Sequence, residues 1–150
     1  MKELGTYIGL RVDPLSVKKI ENIYSKHFDN LIYDMHLTLM YAKEQDVLHT
    51  YPANPYKHYL CKVTGIDIFG DPGSEYQALV LKVSCPHLTR RHAAIKKVFG
   101  LKHSYPEFKP HISIKYKPTE QEQKYFLNLK NEIVGTQIEV SSEYVEPIRE

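Results

Sequence analysis

The chain has no tryptophan, only two cysteines, little net charge and no long apolar run. Its 20 lysine and arginine residues against 18 aspartate and glutamate residues leave a net charge of +2, which excludes a nucleic-acid coating protein and a charge-rich disordered chain. No segment approaches the roughly 20 apolar residues of a membrane span, and the first ten residues lack the apolar stretch of a signal peptide. We therefore expect a cytoplasmic protein. It should bind any anionic partner through a few basic side chains at one site and not through its overall charge.

The cysteines and most of the histidines carry no pattern that indicates a site. Cys61 and Cys85 each stand alone inside an apolar run, and a secreted fold of this length more often carries a larger even set, so we expect both to be reduced core residues. Six histidines lack the spacing and the companions of metal ligands: His27, His49, His58, His87, His92 and His103. The sequence therefore predicts no metal site and no cofactor.

Apolar periodicity and turn residues divide residues 1–150 into the strands and helices of one α+β domain. Predicted strands cover 5–12, 33–41, 59–70, 75–83, 109–116 and 136–145, and predicted helices open at Asp13-Pro14, span 86–100, and follow a Thr119/Glu122 capping box. The "DPGS" turn predicts a hairpin between the third and fourth strands, and the loop at 44–58 could cover a cleft. We expect mostly antiparallel sheets with the helices packed outside.

Two of the predicted strands carry the same polar pattern. Because residues i and i+2 of a strand share a face, "HLTL" places His36 and Thr38 on one face, and "HISI" does the same for His111 and Ser113. The two histidines lie 75 residues apart (111 − 36), so each half of the chain carries one copy. This spacing predicts two pseudo-symmetric lobes, with the four polar side chains facing a central cleft.

Two histidines that face each other across a cleft suit the cleavage of a phosphodiester without a metal. A neutral imidazole takes a proton from the nucleophile, and a protonated one gives a proton to the leaving oxygen. The neighbouring hydroxyls hold the phosphate oxygens in line and stabilise developing charge. A single copy would more simply be a half-buried strand histidine bonded to a nearby hydroxyl. The repetition of the same ordered pattern favours catalysis.

The paired motifs resemble the His-x-Thr/Ser-x motifs of the two-histidine (2H) phosphoesterase superfamily, and the resemblance spans the whole chain. It implies two lobes around a cleft, no metal, and activity on cyclic phosphates and phosphodiesters of nucleotides and RNA. It also implies that His36 and His111 are the acid-base pair and that Thr38 and Ser113 are the phosphate-binding hydroxyls.

Among the branches of that superfamily, the chain most resembles the phage anti-CBASS proteins, which degrade cyclic di- and trinucleotide signals of bacterial immunity. The likeness rests on the "YDMHLTLMY" and "YPEFKPHISIKY" contexts, on "IDIFGD" and on length. The branch implies a tryptophan at the position of Phe69, where this chain keeps an aromatic ring. A phage origin would place the protein in the cytoplasm of the host cell.

Four further residues are candidates for substrate binding. Tyr7 and Arg11 share the polar face of the first strand with Gly9, whose missing side chain would admit a base or ribose. Tyr7 and Phe69 are candidates for stacking on bases, worth roughly 1 to 3 kcal/mol per base, although core or rim packing would also explain them.

The last predicted strand adds the fourth candidate. Glu139 alternates with apolar residues and shares its face with Ser141 and Glu143, so its carboxylate could reach the amino edge of a purine; a solvated strand face would look the same. The basic surface of the second helix is interpreted as solvent-facing and receives no role: Arg90, Arg91, Lys96 and Lys97.

These observations favour an enzyme that hydrolyses the 3′-5′ bonds of a cyclic oligonucleotide. An RNA-processing or 2′,3′-cyclic nucleotide phosphodiesterase would use the same four residues and differ only in the shape of its pocket. A non-catalytic cyclic-nucleotide-binding sponge is the alternative of another class, and two intact motifs argue against it. We expect neither a membrane partner nor stable binding of a nucleic-acid duplex.

Overall fold

The strands and helices follow the order that the sequence patterns predict. The computed structural model describes residues 5–43, 45–102 and 107–148, so His103 and the Tyr105-Pro106 part of the second motif's context lie outside it. The elements run β1 (Gly5–Val12), α1 (Pro14–Tyr24), β2 (His36–Lys43), β3 (Tyr59–Phe69), β4 (Ala78–Ser84), α2 (Pro86–Phe99), β5 (His111–Tyr116), α3 (Glu120–Asn128), α4 (Lys130–Ile133) and β6 (Gln137–Pro147). The predicted α+β class is confirmed.

Local sequence signals explain where the helices begin and end. The Thr119 hydroxyl accepts a hydrogen bond from the Glu122 N–H, and the Glu122 carboxylate accepts one from the Thr119 N–H, so the predicted capping box is confirmed. Helix α2 ends at Phe99 and is capped by Gly100, whose φ of 65° is the left-handed conformation that favours glycine. Helix α1 ends at Tyr24, earlier than the apolar spacing to Phe28 indicates, but the two rings still stack at 5.4 Å.

All pairs of neighbouring strands are antiparallel, and their order β1-β2-β5-β4-β3-β6 closes into a ring because β6 also pairs with β1. The predicted hairpin between β3 and β4 is confirmed. Each half repeats one unit of strand, helix and antiparallel strand, β1-α1-β2 in the first half and β4-α2-β5 in the second. The two units meet at a narrow seam, where Leu37 and Ile112 are the one Cα partner pair between β2 and β5 within the described residues.

One apolar cluster joins the strands to the helices. Leu37 and Leu39 of β2 and Ile112 and Ile114 of β5 are buried in it. The helices add their own buried side chains to the same cluster: Ile20, Tyr24, Leu88, Ile95, Phe126 and Ile133. Because side chains alternate along a strand, this packing leaves the other face of β2 and β5 for polar residues.

Two further expectations concern the core and the membrane. Cys61 and Cys85 are both buried free thiols, as predicted, and burial raises the pKa of the Cys61 thiol far above its ordinary value.

In the part of the chain that the structure describes, none of the helices is both long enough and apolar enough to cross a membrane.

Candidate active site

The seam between β2 and β5 brings the two sequence motifs together. Side chains of antiparallel partners lie on the same face, and the residues that flank a partner pair face each other in turn. The Leu37–Ile112 pair places His36 and Thr38, which flank Leu37, next to Ser113 and His111, which flank Ile112. All four side chains are half-buried, on the face opposite the core. The two motifs therefore form one polar group across the two halves.

Both histidines are held in the same way by the residues that lead into their strands. The Nδ1 atom of His36 lies 3.3 Å from the carbonyl oxygen of Asp34, and Nδ1 of His111 lies 2.9 Å from that of Lys109, in each case two residues back. A carbonyl oxygen only accepts hydrogen bonds, so Nδ1 must carry the hydrogen in both rings. In the neutral ring this leaves the Nε2 lone pair available for proton transfer.

An aromatic ring lies edge-on to each histidine. Tyr7 lies 6.1 Å from His36 between ring centroids, and Phe69 lies 4.8 Å from His111. The Tyr7 hydroxyl is also 3.0 Å from the Thr38 hydroxyl. Burial raises the pKa of Tyr7 well above its ordinary value, so the side chain stays a neutral phenol and a hydrogen-bonding group. Both residues predicted to stack on bases therefore lie beside the motif histidines.

The space above Gly9 is filled by tyrosines, so the prediction that it admits a base or ribose is wrong. A Cβ atom at Gly9 would lie 2.8 Å from a Tyr7 ring carbon and 2.9 Å from the Tyr144 hydroxyl. The two rings pack 5.9 Å apart between centroids. The glycine is therefore needed for the close approach of Tyr7 and Tyr144 to the sheet.

The sequence pattern does not reveal Tyr144, because β6 changes face partway along. Ser142 has a φ of 53°, and the β1–β6 register shifts between Gly9 and Arg11. This irregularity breaks the alternation that grouped Glu143 with Glu139, turns Tyr144 toward the Tyr7 ring and buries Glu143. The serine pair at 141 and 142, which interrupts the apolar alternation, is the only trace of it in the sequence.

The buried Glu143 carboxylate binds Arg91, so the interpretation of Arg91 as a solvent-facing residue is wrong. Arg91 donates through Nε at 2.6 Å and through a terminal nitrogen at 2.7 Å to the two carboxylate oxygens. The Tyr51 hydroxyl and the Asn54 N–H each donate to the same carboxylate at 2.9 Å. This cluster fastens the loop before β3 to α2 and β6.

Arg11 lies beside the first motif. It is the Cα partner of His36 across β1 and β2. One terminal nitrogen donates to both carboxylate oxygens of Asp34 at 2.7 and 2.8 Å, and the guanidinium lies 4.7 Å from the centroid of the Tyr144 ring. These contacts hold a permanent positive charge next to His36.

Glu139 lies with Asp13 and His58 rather than with the four motif residues. Nδ1 of His58 is 3.2 Å from Asp13 and 3.7 Å from Glu139, and hydrogen bonding with Asp13 raises the pKa of the Glu139 carboxyl. Asp13 and His58 line a cavity of about 410 Å³ that Arg11 also lines.

The three side chains of this cluster could together hold a cation, since one donor atom from each lies within 4.8 Å of the others. No sequence spacing reveals the group, because Asp13, His58 and Glu139 are far apart in the chain. The absence of a metal site remains a prediction.

Comparison with known proteins agrees with this geometry along nearly the whole chain. The family model described as "Anti-CBASS protein Acb1" matches residues 4–150. A protein of that name from Vibrio phage KVP40 is 23% identical over 151 residues, which cover 99% of this chain and 90% of that one. The structure of Usb1 from Kluyveromyces marxianus has a similar fold, with a TM-score of 0.51 at 11% identity, over 94% of this chain and 92% of that one.

Proposed function

Because the chain belongs to the anti-CBASS protein Acb1 family and is a phosphodiesterase, we propose that it hydrolyses the 3′-5′ bonds of cyclic di- or trinucleotide immune signals. The observation that carries the proposal is the seam between β2 and β5, where the register sets two imidazoles and two hydroxyls on one face. In this proposal the enzyme acts in the cytoplasm of the host cell, on a ligand that needs no membrane and no nucleic-acid duplex.

The proposed reaction uses the ribose next to the scissile bond as the source of the nucleophile. One of His36 and His111 takes the proton of the 2′-hydroxyl through Nε2, and the 2′-oxygen forms a bond to phosphorus. The other histidine gives its proton to the 5′-oxygen as the bond from phosphorus to that oxygen breaks. The product is a 2′,3′-cyclic phosphate, which water then opens to a 3′-phosphate with the two roles exchanged.

The hydroxyls of Thr38 and Ser113 bind the non-bridging phosphate oxygens in this scheme. A hydroxyl that is already oriented loses less freedom when the transition state forms, and such preorganised donors are effective where charge develops. The hydrogen bond between Tyr7 and Thr38 supplies that orientation on one side of the site.

In this proposal, the four candidate binding residues outside the motifs bind the bases and the charge of the substrate. Phe69 and Tyr7 offer stacking surfaces next to the two histidines, and Arg11 supplies positive charge beside His36. Glu139 is proposed to bind the amino edge of a purine that enters the neighbouring cavity, which Arg11 and Asp13 line. The chemistry proposed for the whole site is proton transfer by the two histidines together with stacking, charge and hydrogen bonding by these residues, with no cofactor.

The experiment is product analysis with a panel of substrates in the presence of EDTA. Cyclic dinucleotides, cyclic trinucleotides, a 2′,3′-cyclic mononucleotide and a short RNA would be incubated with the protein, and the products separated by chromatography. Linear products from the cyclic oligonucleotides are expected. Cleavage of the RNA or the mononucleotide alone would favour an RNA-processing or 2′,3′-cyclic nucleotide phosphodiesterase, and tight binding without any product would favour a non-catalytic sponge.

Matched variants assign any observed activity to the site. His36→Ala and His111→Ala should abolish most turnover, whereas His49→Ala, which changes an exposed loop histidine, should not. Activity that EDTA removes and one divalent ion restores would contradict the metal-free mechanism and direct attention to Asp13, His58 and Glu139.

A further inference from the structure

Two basic side chains occupy matching positions in the two halves of the site. Arg11 of β1 is the Cα partner of His36, and Lys82 of β4 is the Cα partner of His111. Because antiparallel partners share a face, Lys82 lies on the same face as His111, opposite the core. Across β1, β2, β5 and β4, the two cations therefore stand at diagonal corners of the group of motif residues.

Each of the two cations has a carboxylate neighbour, but the two ion pairs differ in strength. The Arg11 guanidinium is 2.7 Å from Asp34, and it also contacts the Tyr144 ring. The Lys82 ammonium is 3.8 Å from Asp67, and both of these side chains are 49% exposed. A long, solvated pair of this kind contributes little to stability. A phosphate oxygen can therefore take the place of Asp67 at low cost.

The space beside Lys82 on β3 is open, whereas the space above Gly9 on β1 is filled. Gly65 of β3 is the Cα partner of Lys82, and a Cβ atom added at Gly65 would meet no atom within 4 Å among the described residues. Gly9, the partner of Thr38 on β1, is covered by two tyrosine rings. The second half of the site thus offers a half-exposed cation next to free volume.

We propose that Lys82 is an anion-binding residue of the active site, the counterpart of Arg11, and that its ammonium binds a non-bridging oxygen of the scissile phosphodiester beside His111. This inference rests on the proposed function. Negative charge on the phosphate oxygens increases as the 2′-oxygen attacks, so a cation at this position stabilises the transition state more than the bound substrate. Its removal should therefore lower kcat/KM, and it should also weaken the binding of inorganic phosphate at this position.

An ordinary surface ion pair between Lys82 and Asp67 would behave differently, and four variants separate the two cases. Lys82→Gln removes the charge and Lys82→Arg keeps it. Asp67→Asn removes the competing carboxylate and leaves the ammonium in place. Lys117→Gln is the matched control, because Lys117 is also 3.8 Å from a carboxylate, that of Glu75, in an exposed pair beyond the end of β5.

Steady-state kinetics would be measured on the cyclic dinucleotide that the wild-type protein cleaves. Loss of one charged hydrogen bond predicts that Lys82→Gln lowers kcat/KM by about tenfold or more. Lys82→Arg should retain most of the activity, and Asp67→Asn and Lys117→Gln should not lower it. Equal activities of Lys82→Gln and the wild type, or equal losses in Lys82→Gln and Asp67→Asn, would overturn the proposal.

A binding measurement keeps the test independent of the substrate. Inorganic phosphate would be titrated into the wild-type protein, Lys82→Gln and Lys117→Gln, and the amide signals of β4 and β5 followed by NMR. Weaker phosphate binding in Lys82→Gln alone supports the proposal, even if no cyclic nucleotide in the panel is cleaved and the proposed function fails. Equal behaviour of all three proteins, including no binding by any, overturns it.

Discussion

Single residues set the chemistry of this site through short-range contacts that repeat in the two halves. His36 and His111 both direct Nδ1 to the carbonyl two residues earlier, and each lies against an aromatic ring. The i, i+2 rule for strands is enough to predict the four motif side chains on one face. It cannot predict Tyr144 or Lys82, whose places depend on the register of neighbouring strands and on an irregularity in β6.

At this scale the hydroxyl of Tyr7 gives a specific prediction. Tyr7→Phe removes the hydrogen bond to Thr38 and keeps the ring, so base stacking is retained. One hydrogen bond contributes about 1 kcal/mol, so kcat/KM should fall roughly fivefold, with little change in substrate affinity. Steady-state kinetics would measure it, with Tyr56→Phe, an exposed tyrosine, as the control. Unchanged kinetics in Tyr7→Phe would show that Thr38 does not need this partner.

The helices, strands and turns are predicted well where the signal lies within the element itself. The burial of a side chain is predicted poorly where it depends on a partner far away in the sequence. The capping box of α3, the glycine that ends α2 and the hairpin turn are all local signals, and each is confirmed. The burial of Glu143 and its pairing with Arg91 could not be read from α2 or β6 separately, since each residue looks solvent-facing within its own element. The pairing appears only when the two elements are packed together.

The Glu143 cluster predicts a large loss of stability from a small change in chemistry. Glu143→Gln keeps the size of the side chain but removes the charge that Arg91 binds, in a place where the carboxylate is fully buried. Breaking a buried ion pair from one side typically costs about 3 to 5 kcal/mol in the free energy of unfolding. Urea unfolding would measure the loss. Lys117→Gln, which breaks an exposed pair, should cost under about 1 kcal/mol; equal losses would contradict the prediction.

The packing of α2 on β2 predicts a dependence of stability on pH. Nδ1 of the buried His92 donates to the carbonyl of Leu39 at 2.6 Å, and the ring stacks on Phe108. Desolvation lowers the pKa of His92, and the nearby charge of Lys96 lowers it further. A lowered pKa in the folded state means that the unfolded chain binds more protons below about pH 6.5, the unperturbed value. Stability should therefore fall as the pH drops below that value, until the folded-state pKa is passed.

Urea unfolding between pH 8 and pH 5 would measure this dependence. In His92→Gln, which keeps a polar side chain but cannot titrate, the part of the pH dependence due to His92 should disappear. His49→Gln, at an exposed loop position, is the matched control and should leave the curve unchanged. Identical curves for the wild type and His92→Gln would show that this histidine does not contribute.

At the scale of the whole molecule, the duplication of a motif predicts two halves but not the way in which they join. The repeat of His36 and His111 correctly indicates the two strand-helix-strand units. The closure of the ring by β6 and the pairing of Leu37 with Ile112 at the seam depend on contacts between distant parts of the chain. That residues 1–150 form one domain stays a prediction.

The seam between the halves makes a final prediction about how the two histidines combine. If one takes a proton and the other gives one in the same reaction, neither is of much use alone, and the effects of removing them are not independent. His36→Ala and His111→Ala should each lower kcat by roughly 10² to 10⁴-fold. The double variant should then be about as slow as the slower single variant, whereas independent contributions would multiply. Single-turnover assays on purified proteins, with circular dichroism to confirm folding, would distinguish the two outcomes. A multiplicative loss would mean that each half of the molecule acts on its own, and the shared acid-base mechanism would be rejected.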